Sequence, residues 1–181
     1  MGEPRILVIG IEGTGTREIS ACLLKQDSSM DVLTCSSLPL PGDRDLHECG
    51  IQFICFMICA ASKESFQTLH SSISQVDVSY FAGKCVIVEN TKGLAVEQSV
   101  EREKIEQLAA QYDIPVLTTN TQNESELTDI SNKLQHLIRM NQGRTRHLAP
   151  MLYECVRETK LPRGTPAGSN LATPSLVGNT T

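Results

Sequence analysis

The sequence predicts a three-layer α/β domain, a mostly parallel sheet flanked by helices, and three observations carry that expectation. Short β-branched, apolar runs alternate with segments of helical period, as parallel strands joined by crossover helices do. The first run, "RILVIG" (5–10), passes through a glycine-rich turn directly into a helix. A later run, "IQFICFMICAA" (51–61), is apolar on both faces, as a strand covered on both sides should be.

In chain order, 5–10 is the first strand. Ile19, Cys22 and Leu23 share one side of a first helix, Thr16 to Lys25. "MDVLTCS" (30–36) reads as a short second strand, and 37–50 as a connection stiffened by Pro39 and Pro41. The third strand is 51–61, and Ser62 is a good N-cap for a helix over 63–76. "VDVSYFAGK" (76–84) links that helix to a fourth strand, "CVIVEN" (85–90). An amphipathic helix follows over 97–112, then a fifth strand, "IPVLTT" (114–119). The last long helix, 124–140, carries a stripe of Leu127, Ile130, Leu134, Leu137 and Ile138. A further short helix is expected over 146–156, with Leu148, Met151, Leu152 and Val156 along one side.

The 181 residues fit one domain, 1–160, and a tail, 161–181, whose Pro, Gly, Ser, Thr and Asn content predicts disorder. The formal net charge of −5 argues against charge-driven nucleic-acid binding, so work on chromatin would go through protein partners. Seven cysteines without a C-x-x-C pair read as reduced, buried thiols, not as disulfides or a metal site. The longest apolar run, Phe53 to Ala61, is too short for a bilayer, and no signal peptide precedes the first strand. Gly2 does not complete a myristoylation signal, because Ile6 stands where Ser or Thr is wanted. A soluble, intracellular protein without membrane contact is expected.

The glycine turn is the one segment with a motif's outline. Gly10 and Gly15 occupy the glycine positions of G-x-x-x-x-G-K-[ST], between a strand and a helix as that motif requires. The two working side chains are missing. Thr16 replaces the lysine that reaches the phosphates, and Arg17 replaces the hydroxyl that binds Mg²⁺. The G-x-G-x-x-G pattern fails too, since Glu12 falls at its middle glycine. After the fourth strand, "TKGL" follows the guanine-reading pattern [NT]-K-x-D at Thr91 and Lys92, but Leu94 replaces the aspartate. No D-x-x-G, H-E-x-x-H or G-x-S-x-G occurs, and the carboxylates of 101–107 alternate with cations as a solvated helix face does. The scaffold resembles a small GTPase of the P-loop type without its catalytic apparatus. No cofactor, metal or nucleotide is expected. On analogy with that fold, strand 2 should pair antiparallel with strand 3 and the rest should be parallel.

A closer resemblance rests on "LLKQD" (23–27), "SLPLP" (37–41), "IQFICFMI", "VDVSYFAGK" (76–84) and "YDIPVL" (112–117), in order and with few gaps over about 5–156. Together they are similar to the centromere protein M family. The resemblance implies a pseudo-GTPase that neither binds nor hydrolyses GTP, in the constitutive centromere-associated network of the inner kinetochore. It further implies a nuclear, centromeric location and partnership with centromere protein I, in a complex with centromere proteins H and K. This loop holds more glycine (Gly10, Gly13, Gly15) than the family resemblance leads one to expect. Candidate partner-binding residues are Tyr80 and Phe81 in the linking segment, and Leu148, Met151 and Leu152 beyond the last long helix. Two rival readings stay open: a divergent nucleotide switch taking its lysine from Lys25 or Lys84, and a GTPase-fold adaptor of a trafficking complex.

Overall fold

Alternation along the first strand sets the layers. A computed structural model of the chain describes residues 3–92, 100 and 102–142. In β1 (Arg5–Ile9), Ile6 and Val8 face one core while Leu7 and Ile9 face the other. The first core is closed by Ile19 and Leu23 of α1 (Thr16–Gln26) and by Ile130, Leu134, Leu137 and Ile138 of α4 (Glu124–Asn141). The second is closed by Leu69 and Ile73 of α2 (Lys63–Ile73) and by Ile105, Leu108 and Ala109 of α3 (Arg102–Gln111). Between them lies the sheet, completed by β2 (Asp31–Cys35), β3 (Ile51–Cys59), β4 (Cys85–Asn90) and β5 (Val116–Thr119). Phe53, Ile54, Phe56 and Ile58 of β3 are all buried, which explains the absence of polar alternation in that run.

The strand order is β2-β1-β3-β4-β5, and every pairing is parallel. The expected antiparallel pairing of strand 2 with strand 3 is therefore incorrect: β2 pairs with β1. Helix α1 stands between β1 and β2 and supplies the long crossover connection that a parallel pair requires. The connection 36–50 is no hairpin. It carries the chain past β1 to the sheet's other side, burying Leu38 and Leu46 in the second core on the way. The Arg5 guanidinium anchors its end, donating to the Cys49 carbonyl at 2.7 Å and to Asp31 Oδ2 at 2.6 Å. Because successive strands are added on opposite sides of β1, the sheet has its switch point between β1 and β3, where α/β folds open a crevice.

Local chemistry accounts for three element starts. Ser62 caps α2, its hydroxyl accepting from the Ser65 N–H at 3.2 Å. Asn123 caps α4 by accepting from the Ser125 N–H at 3.1 Å. Helix α2 stops at Ile73, three residues before the sequence pattern, and Asp77 then caps a single 3₁₀ turn, Val78–Tyr80. α3 begins at Arg102, and Val100, expected within it, lies in a bend with its N–H on the Ala60 carbonyl at 3.0 Å; residues 97–99 and 101, the helix over 146–156 and the 161–181 tail lie outside the described residues. Among the described residues no helix is long and apolar enough to cross a membrane.

Burial pushes the Cys55 thiol from its ordinary 9.0 up to about 12, and burial with the nearby Cys55 does the same for Cys85. The native state therefore keeps protons that the unfolded chain releases first. The stability these two thiols contribute should be fully present below pH 9.0 and fall as pH rises towards about 12. Urea midpoints measured through that window should decline, and less steeply for Cys55→Ala; a flat profile would contradict the assignment.

Candidate functional site

The switch point puts the carboxyl ends of β1, β4 and β5 together, and the loops leaving them build the site. After β1, the Gly10 N–H bonds the Cys35 carbonyl at 3.0 Å and the chain turns back through Thr14, whose N–H reaches the Ile11 carbonyl at 3.3 Å. Gly13 and Gly15 hold φ of 86° and 96°, the left-handed region that glycine adopts without penalty. Gly15 is the N-cap of α1 and supplies no side-chain cap.

The interior of this turn is filled by the protein's own hydroxyls. Thr14, only 1% exposed, donates to the Ile11 carbonyl at 2.7 Å. Its Oγ1 lies 2.9 Å from Thr16 Oγ1, which in turn lies 3.4 Å from the Gly10 carbonyl. With the Thr14 proton committed to Ile11, the Thr16 hydroxyl is left to donate to Thr14 Oγ1 or to Gly10. A Cβ at position 10 would meet Thr14 Oγ1 at 2.6 Å, and Met57 Cβ and Thr16 Oγ1 at 2.7 Å. Gly10 is small because threonines occupy the space above it.

Asn90, the last residue of β4, is 0% exposed and ties this turn to two other loops. Its Nδ2 donates to the Thr14 carbonyl at 3.0 Å and to Thr121 Oγ1 at 2.8 Å. Its Oδ1 accepts from the Lys92 N–H at 3.1 Å and from the Thr121 N–H at 3.2 Å. Two donors and two lone pairs are thus all used, and the partners fix the orientation of the amide. Gly15 packs directly on this group: a Cβ there would lie 2.6 Å from Thr121 Cγ2 and 2.9 Å from Asn90 Nδ2.

The charges outside the turn do not favour an anion. A cleft of about 460 Å³ opens between residues 10–18 and Thr34, Cys35 and Ser36. Its charged groups are Glu12, Arg17 and Glu18, two carboxylates against one guanidinium. Arg17 and Glu12 form a solvent-exposed ion pair at 3.9 Å, which screening leaves weak. Among the described residues no group of three metal-ligating side chains comes together.

The structure brings Gly10, Gly15, Thr16 and Arg17 into this turn, and Thr91 and Lys92 beside it through Asn90 and through the Thr91 N–H to Thr119 carbonyl bond of 2.8 Å. Leu94 lies outside the described residues. The two lysines proposed as replacement phosphate ligands are not at the turn. Lys84 precedes β4, at the opposite edge of the parallel sheet, with its Nζ 5.8 Å from the Tyr80 ring centroid. Lys25 stands nine residues along α1 from Thr16, roughly 13 Å at 1.5 Å per residue.

Tyr80 is buried, its hydroxyl donating to the Ile51 carbonyl at 2.8 Å and its ring 4.8 Å from His47. Phe81 is half-buried against Tyr112, ring centroids 5.0 Å apart. Leu148, Met151 and Leu152 lie outside the described residues. Sequence reasoning missed Asn90, Thr121 and Glu89. Glu89 is 1% exposed, with Arg102 at 3.8 Å and the Thr118 hydroxyl at 3.4 Å. The available signal was "EN", two polar residues closing an otherwise apolar central strand.

A parallel three-layer sheet, a strand-to-helix turn of phosphate-loop outline and a later strand ending beside it define a small-GTPase-like α/β domain. The chain belongs to the centromere protein M family, whose model matches residues 2–160. It is 28% identical to centromere protein M of Homo sapiens over 140 residues, which cover 76% of this chain and 77% of that one. The protein of the same name from Xenopus laevis is 24% identical, covering 76% and 78%, and that from Bos taurus 27%, covering 76% and 77%.

The two left-handed glycines separate backbone strain from packing. Gly13→Ala meets nothing within 4 Å and should cost about 1–2 kcal/mol from its φ alone. Gly15→Ala adds the collision with Asn90 and Thr121 and should cost at least about 1 kcal/mol more. Urea denaturation of the two variants checks the order; equal losses would mean that the packing carries no weight.

Proposed function

We propose that this chain is a non-enzymatic structural subunit of the inner kinetochore, a pseudo-GTPase that docks on larger centromere proteins and stabilises them. Membership of the centromere protein M family supports the centromeric, nuclear setting. The single observation that carries the non-enzymatic part is the threonine-filled turn, where the Thr14 and Thr16 side chains crowd the space above Gly10 and their hydroxyls bond the turn's own carbonyls and each other. Thr16 and Arg17 in the lysine and metal-ligand positions agree with it. Such a turn has no lysine at the position that reaches a γ-phosphate and no hydroxyl at the position that binds Mg²⁺.

The partners proposed are centromere protein I and its complex with centromere proteins H and K. Docking is proposed at Phe81 and its surroundings, with Tyr80 holding that turn from inside and with Leu148, Met151 and Leu152 as a second element. Val78, 78% exposed between Asp77 and Ser79, adds an apolar contact beside Phe81. A half-buried aromatic such as Phe81 is the kind of group that serves as an interface anchor, and Val78 extends the apolar area around it.

Two measurements test the proposal. Calorimetric titration of the full chain with GTP or GDP and Mg²⁺ should give no heat of binding. Saturable binding near micromolar that Mg²⁺ strengthens would overturn the pseudo-GTPase reading. Immunoprecipitation from mitotic cells should recover centromere proteins, with recovery reduced for Phe81→Ala; vesicle-coat subunits without centromere proteins would support the trafficking-adaptor alternative.

A further inference from the structure

β2 is an edge of the sheet, with no strand on its outer side among the described residues. In the parallel register with β1, the Asp31 N–H bonds the Pro4 carbonyl and the Cys35 carbonyl accepts from Gly10, each at 3.0 Å. Asp31, Leu33 and Cys35 therefore spend their backbone groups on β1, and those of Val32 and Thr34 point away from it. Among the described residues no strand lies beyond them. Natural edges are usually blunted by lysine, proline, a bulge or an unpaired charge. β2 has no lysine or proline, its register with β1 is unbroken, and its one charge, Asp31, is held by Arg5 at 2.6 Å. Leu33, at its centre, is one of three large apolar side chains exposed among the described residues, at 39%.

We propose that a second copy of this chain pairs with this edge, antiparallel, about a two-fold axis through Leu33. That axis sets Val32 opposite Thr34 of the second copy, and Thr34 opposite its Val32, so each pair exchanges two backbone hydrogen bonds. It brings the two Leu33 side chains together on one face of a continuous sheet. Asp31 falls opposite Cys35, so no like charges meet. The edge is thus its own complement in backbone bonds, side chains and charge, which favours a second copy over an unrelated strand. A five-residue strand buries far less than the ~1,200 Å² of stable interfaces, so the association is weak and concentration-dependent. With a net charge of −5 on each copy, added salt strengthens it.

Sedimentation equilibrium of the full chain over a wide concentration range tests this, at low and high salt. The weight-average mass should rise above the 19.8 kDa monomer as concentration increases, and further with salt. Leu33→Lys sets two ammonium groups face to face, and Thr34→Pro removes an outward N–H that β1 does not use. Each should weaken association by roughly tenfold or more. If Thr34→Pro loses its native circular dichroism, Leu33→Lys decides alone. A wild-type mass that stays monomeric at every concentration and salt overturns the proposal, including when the edge instead accepts another protein's strand. Variants that associate as the wild type does also overturn it.

Discussion

The side chain of Asn90 is the contact on which the upper edge of the sheet depends. Three loops leave the carboxyl ends of β1, β4 and β5, and nothing in their local sequences makes them meet. One buried amide joins them with four hydrogen bonds, to Thr14, Lys92 and, twice, Thr121. A buried amide left unpaired is costly, so the arrangement is close to all-or-none: the loops meet with every bond made, or the amide must find water. Its place between β3 and β5 makes it rigid enough to impose this geometry. Gly15 follows as a consequence, since Asn90 and Thr121 already fill the space a Cβ would need.

The same arrangement bears on function. A turn with two glycines between a strand and a helix invites comparison with a phosphate cradle, because helix N-terminal N–H groups favour anions. Here its threonine hydroxyls bond to the loop's own carbonyls and to each other. The glycines therefore answer to internal packing and turn geometry and require no ligand to explain them. The exposed charges, Glu12, Arg17 and Glu18, leave the cleft without an excess of positive charge. This is the physical content of the pseudo-GTPase reading proposed for this member of the centromere protein M family.

Elements governed by local pattern were legible in the sequence, and contacts between distant residues were not. The Ser62 cap and the β4 boundaries follow from rules that act within a few residues. The both-face burial of β3 follows from its unbroken apolar run. The partner of β2 differs from the expectation because the fold analogy supplies an antiparallel edge, while in this chain α1 serves as the crossover of a parallel β1–β2 pair. Asn90 and Thr121 were missed because their partners lie up to 76 residues away and belong to no motif. A polar pair closing an apolar central strand was the one trace they left, since a residue buried in mid-sheet must bond to something.

Whether one side chain holds three loops together can be read from hydrogen exchange followed by mass spectrometry in Asn90→Ala. Segments 10–16, 91–92 and 120–122 should lose protection together, while β3 and the strand residues of β1 keep theirs. Loosening confined to residues next to position 90, with the 10–16 turn as protected as in the wild type, would contradict it.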